Sequence, residues 1–248
     1  MILLFDLGNS RCKWCLWDQG AIRDQGAVAY TADGGLPGAL FEHLEDLAEA
    51  PVAAMACTVS APELLEPLEQ RLQRRYGCPL QRFRTLARCG DVINAYPHPD
   101  SLGADRWAAL LGARQRYSGS LCIVDCGTAV TLDVLHADGR HAGGLIFPGL
   151  TLARRALSRG AHRLQDPGEG ALPLLANDTP TAIRAGTFHA LAGGIEALKA
   201  RIVDACATPV TGILTGGDAP AFAPALGPDW QVDGELIFAG MAQEVVTP

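Results

Sequence analysis

The 248-residue sequence holds no Gly-Lys-Ser or Gly-Lys-Thr, which removes the P-loop, and no His-Arg-Asp, which removes the protein-kinase catalytic loop. Its six histidines are scattered, without a His-x-x-x-His ligand pair. No apolar run approaches the roughly 20 residues that a bilayer-spanning helix requires, so no membrane partner is expected. The opening Met-Ile-Leu-Leu-Phe-Asp has no basic region and meets an acid at Asp6, so a strand is expected there rather than a signal peptide. Positive charge is also short: the net charge is −7, and no helix-turn-helix signal stands out, which argues against nucleic acid as the main partner.

Apolar residues are plentiful at 48%, with 19% charged, so a sizeable core can form. Eight cysteines are present, and Cys15, Cys57 and Cys122 fall inside apolar strand patterns, where free thiols act as small hydrophobes. With no export signal, reduced thiols and a cytoplasmic location are expected. Cys12-Lys13-Trp14-Cys15 has no second pair of matching spacing, so strand packing is preferred over metal or redox chemistry.

One phrase occurs twice. Asp6-Leu7-Gly8-Asn9-Ser10 follows the apolar run Ile2–Phe5, and Asp125-Cys126-Gly127-Thr128-Ala129 follows Leu121–Val124. An alternating segment and an Asp/Gly turn come after each, and Gly20 stands as far from Asp6 as Gly139 does from Asp125. This equal spacing predicts the same register in both copies and two domains, 1–118 and 119–248, parted at Ser118-Gly119-Ser120. A lone Asp-x-Gly is ordinary turn chemistry. Two of them ending buried-looking strands point to main-chain N–H groups and a small hydroxyl offered to phosphate, with the Asp free to face a metal ion.

Periodicity predicts strands at Ile2–Asp6, Arg11–Trp17, Ala21–Tyr30 and Val52–Val59. A helix is predicted over Gly38–Ala50, and another starting at Ser60-Ala61-Pro62-Glu63 and ending near Tyr76-Gly77. A loop with Tyr96, Pro97, Pro99 and Gly103 precedes a helix from Ala104 to Tyr117. The second half repeats the opening with strands at 121–125, 129–135 and 141–147. A helix bearing Arg154, Arg155, Arg159 and Arg163 then presents a solvated or subunit-contacting face. A Gly-, Pro- and acid-rich loop spans Gln165–Asp178, a long helix Pro180–Ala207, and a strand Val210–Leu214 runs into Thr215-Gly216-Gly217-Asp218. That double glycine reads equally as a close approach for a flat ring and as a plain strand-to-helix turn.

Taken together, four segments resemble the type III pantothenate kinases. They are Asp6-x-Gly-Asn-Ser with Lys13, Gly103-Ala104-Asp105-Arg106, Asp125-x-Gly-Thr-Ala-x-Thr-x-Asp133, and Gly143-Gly144-x-Ile146-x-Pro148-Gly149. The resemblance runs in order over almost the whole chain, with Ser10 where Thr is more usual. It implies an α/β fold of two ribonuclease-H-like (actin-like ATPase) domains flanking an ATP cleft. It implies phosphorylation of pantothenate to 4′-phosphopantothenate, the first step of coenzyme A biosynthesis. ATP would be held by Asp6, Leu7, Gly8, Asn9, Ser10, Arg11, Cys12, Lys13 and Thr128. Asp125 would help bind a monovalent cation, potassium or ammonium, and Asp6 is the candidate partner of a divalent ion such as magnesium. Pantothenate would meet Tyr96, Gly103, Ala104, Asp105 and Arg106.

The resemblance casts Asp105 as the base that accepts the hydroxyl proton; an acid in a first helical turn is otherwise only favourable dipole electrostatics. Thr179 is carried over from an Asn-Thr-x-x-Ala-Ile motif, here Asp178-Thr179-Pro180-Thr181-Ala182-Ile183, although Asp178-Thr179-Pro180 reads equally as a helix cap. A homodimer is the family expectation. The remaining rivals are a sugar or acetate kinase of the same superfamily and a non-catalytic regulatory relative.

Overall fold

The computed structural model describes residues 1–58, 62–160 and 164–246. Val59, Ser60 and Ala61, where one strand end and a helix cap were expected, and Arg163 of the arginine helix lie outside the described residues. The chain divides into two units, one formed by Met1–Tyr117 with the segment from Glu235 onward, the other by Ser118–Gly234.

In the first unit, β1 (Ile2–Leu7), β2 (Arg11–Asp18) and β3 (Ala21–Ala29) form an antiparallel meander. Helix α1 (Gly38–Glu45) leads to β4 (Ala53–Thr58), parallel to β1, and α2 (Leu65–Tyr76) leads to β5 (Leu80–Arg82), parallel to β4. The sheet order is β3-β2-β1-β4-β5. A small hairpin, β6 (Arg88–Cys89) and β7 (Val92–Ile93), precedes α3 (Ala104–Arg116). Leu3, Phe5, Leu7, Ala54 and Ala56 on one sheet face bury Leu40 and Leu44 of α1 and Leu65, Leu68 and Leu72 of α2. α2 ends at Gly77, whose φ of 63° closes the helix in the left-handed conformation.

The second unit repeats this plan. β8 (Ser120–Cys126), β9 (Ala129–Leu135) and β10 (His141–Pro148) form the meander. α4 (Leu150–Gly160) and α5 (Thr179–Cys206) precede β11 (Val210–Thr215), which is parallel to β8, and α6 (Ala219–Phe222) leads to β12 (Trp230–Val232). The order β10-β9-β8-β11-β12 matches the first sheet element for element. Cys122, Val124, Val130 and Leu132 pack on Phe188, Ala192 and Ile195 of α5. The predicted long helix therefore stands, shifted by a single residue at each end.

The last helix, α7 (Leu236–Val246), belongs with the first unit, whereas the sequence reading had run the second domain to residue 248. It packs on β1 and β4 and crosses α3. The crossing is backbone against backbone. A Cβ on Gly112 would lie 2.0 Å from the Leu236 carbonyl oxygen, and one on Gly240 would lie 1.9 Å from that of Ala108. Gln243 Nε2 then donates to the Leu111 carbonyl at 2.8 Å. Because Leu236, Ile237, Phe238, Ala239, Met241 and Ala242 are all buried, that stretch of the helix has no polar face and hence no amphipathic period in the sequence.

An exposed helical Gly→Ala change stabilises by up to about 1 kcal/mol. At Gly112 or Gly240 the sign is reversed, since the added methyl overpacks main chain that cannot yield, at about 1–3 kcal/mol or more. Thermal denaturation of Gly240→Ala should show Tm lowered by about 5 °C or more. Gly193→Ala on α5, where a Cβ meets nothing within 4 Å, should leave Tm level or raised.

Candidate functional site

In each sheet, successive connections leave the central pair of strands in opposite directions, and ligands of open α/β sheets gather at the carboxyl ends of such strands. Asp6 and Asp125 stand at those ends, on β1 and β8.

In the first unit Asp6 is buried and lies opposite Lys13 in the β1–β2 register, with Lys13 Nζ 3.8 Å from Asp6 Oδ2. Gly8, Asn9 and Ser10 form a three-residue turn, and Tyr30 Oη donates to the Gly8 carbonyl at 2.7 Å, anchoring it. Burial first, then the nearby Cys12 and Asp6, push the Tyr30 hydroxyl well above its ordinary pKa, so it remains a donor. Asn9, Ser10 and Arg11 are exposed, whereas Leu7 and Cys12 are buried and can offer a ligand only main chain. The Cys12 thiol is pushed up to about 12 by burial and by Asp6. Cys12 and Cys15 are three residues apart on one strand, hence on opposite faces, and both are buried. Their Cys-x-x-Cys is strand packing.

Asp105 sits in the first turn of α3, where Oδ1 accepts the Arg106 main-chain N–H at 2.7 Å. Arg106 is buried; its Nη1 donates to Tyr96 Oη at 3.0 Å, and its guanidinium lies 5.7 Å from the Tyr96 ring centre. Tyr96 is held in turn by Asn94, whose Oδ1 accepts the Tyr96 N–H at 3.0 Å and whose Nδ2 donates to the Leu86 and Pro99 carbonyls. Thr85 Oγ1 ties this loop to the Leu102 carbonyl, just before Gly103. Tyr96, Gly103, Ala104, Asp105 and Arg106 are thus brought together. Asn94 was not singled out from the sequence, where a lone Asn in a loop carries no signal of three bonds. The buried Cys57 thiol is raised by burial and then by the charges of Asp6, Asp105 and Glu244. The β1 carboxylate and the α3 carboxylate therefore share one neighbourhood within this unit.

In the second unit Asp125 is paired in register with Thr131 on β9 and Thr215 on β11. The equal spacing read from the sequence does not give equal turns. Gly127 and Thr128 form a two-residue turn, closed by Gly127 N–H on the Ala129 carbonyl at 3.1 Å, one residue tighter than in the first unit. The far turn compensates: Gln19 and Gly20 alone link β2 to β3, whereas 136–140 link β9 to β10. The tight turn is braced by Gly149, whose N–H donates to the Thr128 carbonyl at 3.0 Å and whose Cβ, if present, would lie 2.0 Å from the Gly127 oxygen.

Gly216 is required for a reason other than ligand approach. Its φ is +89°, and a Cβ would stand 2.2 Å from Asp125 Oδ1. Asp218 N–H then donates to the Cys126 carbonyl at 2.9 Å. Thr179 is exposed at the start of α5, beside Asp178, whose Oδ1 accepts the Thr181 N–H at 2.9 Å; the capping role of Asp178 is real.

Among the described residues no group of three or more His, Cys, Asp or Glu could enclose a metal ion. Asp6 and Asp125 as single carboxylates instead suit ions that keep water and share phosphate oxygens. Gly216→Ala combines a disfavoured φ with a clash against a carboxylate, and should lower Tm by about 5 °C or more in thermal denaturation.

The family model for type III pantothenate kinases matches residues 2–201. Type III pantothenate kinase of Halorhodospira halophila is 40% identical over 252 residues, covering 97% of this chain and 96% of its own. That of Nitrosococcus oceani is 36% identical over 249 residues, covering 98% and 93%. Among solved structures, a Baf-family transcriptional activator from Campylobacter jejuni superposes with TM-score 0.59 at 21% identity, covering 98% of this chain and 96% of its own. The activator of 2-hydroxyisocaproyl-CoA dehydratase from Clostridium difficile, with bound ADPNP, gives 0.55 at 13% identity, covering 98% and 93%. These two likenesses are of the fold alone, two α/β units with a five-stranded sheet in each. The family match and the full-length relatives place the chain itself in the type III pantothenate kinase family.

Proposed function

We propose that this chain transfers the γ-phosphoryl group of ATP to the primary hydroxyl of pantothenate, with Asp105 receiving the hydroxyl proton. Family membership supplies the reaction, which opens coenzyme A biosynthesis. The observation that carries the assignment of residues is the Tyr96–Arg106 pair beside Asp105. A buried guanidinium fixed by a phenol presents a planar fork suited to the carboxylate of pantothenate. A carboxylate is a weak base for an alcohol proton. Weakness is tolerable, because in a loose phosphoryl-transfer transition state the nucleophile gives up its proton late and needs chiefly aiming. In the step itself the acceptor oxygen forms the new P–O bond, the bond to the ADP oxygen breaks in line, and the hydroxyl proton passes to Asp105.

The Gly8–Ser10 turn, Lys13 and the Thr128 turn are assigned to the phosphates. Asp6 would hold a divalent ion such as magnesium and Asp125 a monovalent cation, neutralising phosphate charge. Each ion would neutralise charge that main-chain N–H groups alone would leave. No helix among the described residues is long and apolar enough to cross a membrane, and all eight cysteines are free thiols, in keeping with a cytoplasmic location. A homodimer is supported by apolar side chains left outside on β10 and α4: Ile146 is 64% exposed, and Leu145, Leu152 and Leu157 are exposed as well.

A coupled ADP-release assay with pantothenate tests the assignment. Activity should require potassium or ammonium, and Asp105→Asn should lower kcat by at least about 100-fold. Near-native turnover in that variant would show Asp105 to be miscast, and phosphorylation of a hexose in place of pantothenate would favour the sugar-kinase rival. Sedimentation should give a dimer, converted to monomer by Ile146→Asp with Leu157→Asp.

A further inference from the structure

Among the described residues, Arg184 of α5 has no carboxylate as its hydrogen-bond acceptor. Its guanidinium spends its donors on main chain: Nε to the Ala171 carbonyl at 3.2 Å, and Nη1 to those of Pro167 and Glu169 at 3.1 Å each. Nη2 donates to Thr181 Oγ1 at 3.2 Å. One turn and more along the same helix, His189 Nε2 lies 3.2 Å from the Pro173 carbonyl. The four carbonyls alternate along the chain, at 167, 169, 171 and 173. The segment is thus a strap laid on α5, bent at Gly168 and Glu169 and fastened by side chains in place of sheet bonds.

Gly170, at φ +155°, is shaped to this contact, since a Cβ there would stand 2.8 Å from Arg184 Cζ. The strap ends at Leu174 and Leu175, which are 81% and 89% exposed, and the chain then enters the cap that carries Thr179. Thr181 closes the circuit: its N–H is held by Asp178 and its hydroxyl by Arg184. Thr179 therefore lies between Asp178 and Thr181, which the cap bond joins, and Arg184 holds the Thr181 hydroxyl.

We propose that Arg184 is a positioning residue for pantothenate, holding the 167–173 strap so that Thr179 is presented in one fixed orientation. This rests on the assignment of Thr179 to the substrate. The charge matters less than the fork, because only a planar guanidinium reaches three separated carbonyls at once. A residue that orients a substrate contact without touching the reacting atoms affects binding of that substrate and spares the chemical step.

Steady-state kinetics and limited thermolysin digestion of the intact enzyme test this with Arg184→Gln, Arg184→Lys, Gly170→Ala and Thr179→Val. Arg184→Gln should raise KM for pantothenate by about five- to twentyfold, with kcat and KM for ATP within about twofold. Cleavage at Leu172, Leu174 or Leu175 should be at least about tenfold faster, as the loss of several charge-assisted bonds implies. Arg184→Lys should fall between the two, and Gly170→Ala, which pushes the guanidinium aside, should resemble Arg184→Gln. Faster cleavage with native KM for pantothenate would overturn the proposal and leave a purely structural strap. Native cleavage in Arg184→Gln would overturn it as well. If Thr179→Val raises KM and Arg184→Gln does not, the strap has failed and the substrate assignment stands. If Thr179→Val is native, the assignment of Thr179 has itself failed, and the proposal with it.

Discussion

β1 and β8 are buried on both faces, and a strand in that position can carry chemistry only where it ends. Leu3, Leu4, Phe5 and Leu7 are sealed in the first unit, and Leu121, Cys122, Ile123 and Val124 in the second. The single polar side chain admitted near each end is an aspartate. A buried carboxylate is costly unless met by a cation or by N–H groups, and Asp6 has Lys13 across the ladder. Asp125 is only half-buried, and its carboxylate occupies the space that a Cβ on Gly216 would need. Turn lengths, glycine positions and helix starts in the rest of each unit are arranged around those two groups.

Much of this could be read in the residues. The two hairpins, the long α5 and the segment around Asp105 and Arg106 were visible because each depends on local signals: apolar runs, turn glycines, a first-turn acid. Tyr96 and Arg106 could each be named from resemblance as substrate residues, but the bond between them needs the Asn94 loop, which has no sequence signature. What stayed hidden depends on the surroundings of a residue. From Leu236 to Ala242, α7 is apolar on every side because it is covered by α3 and the sheet, so that stretch shows no helical period. Gly216 read equally as a ring approach and as a plain turn, because a sequence cannot show that Asp125 fills the space where a Cβ would stand. The acid- and glycine-rich stretch before α5 read as plain loop, since its order comes from Arg184 and His189, residues of a different element.

The thiols make the same point from the chemical side. Cys12, Cys57 and Cys126 flank the two aspartates, and burial together with those carboxylates raises each of them. Near the two turns they act as compact packing groups that do not ionise. A serine of similar size would demand a hydrogen bond that these strand ends cannot all supply.

The one-residue difference between the near turns bears on how the two halves can be related. Side chains alternate along a strand, so a turn shortened by one residue reverses which of them face inward unless the strand is re-registered. β9 meets this by setting Thr131 opposite Asp125, one step nearer the turn than Lys13 stands from Asp6. Grafting the first turn onto the second half would move every later side chain of that hairpin to the wrong side of its sheet. If the halves descend from one ancestral unit, the turn and the far loop must have changed length together, and the halves have not been exchangeable since.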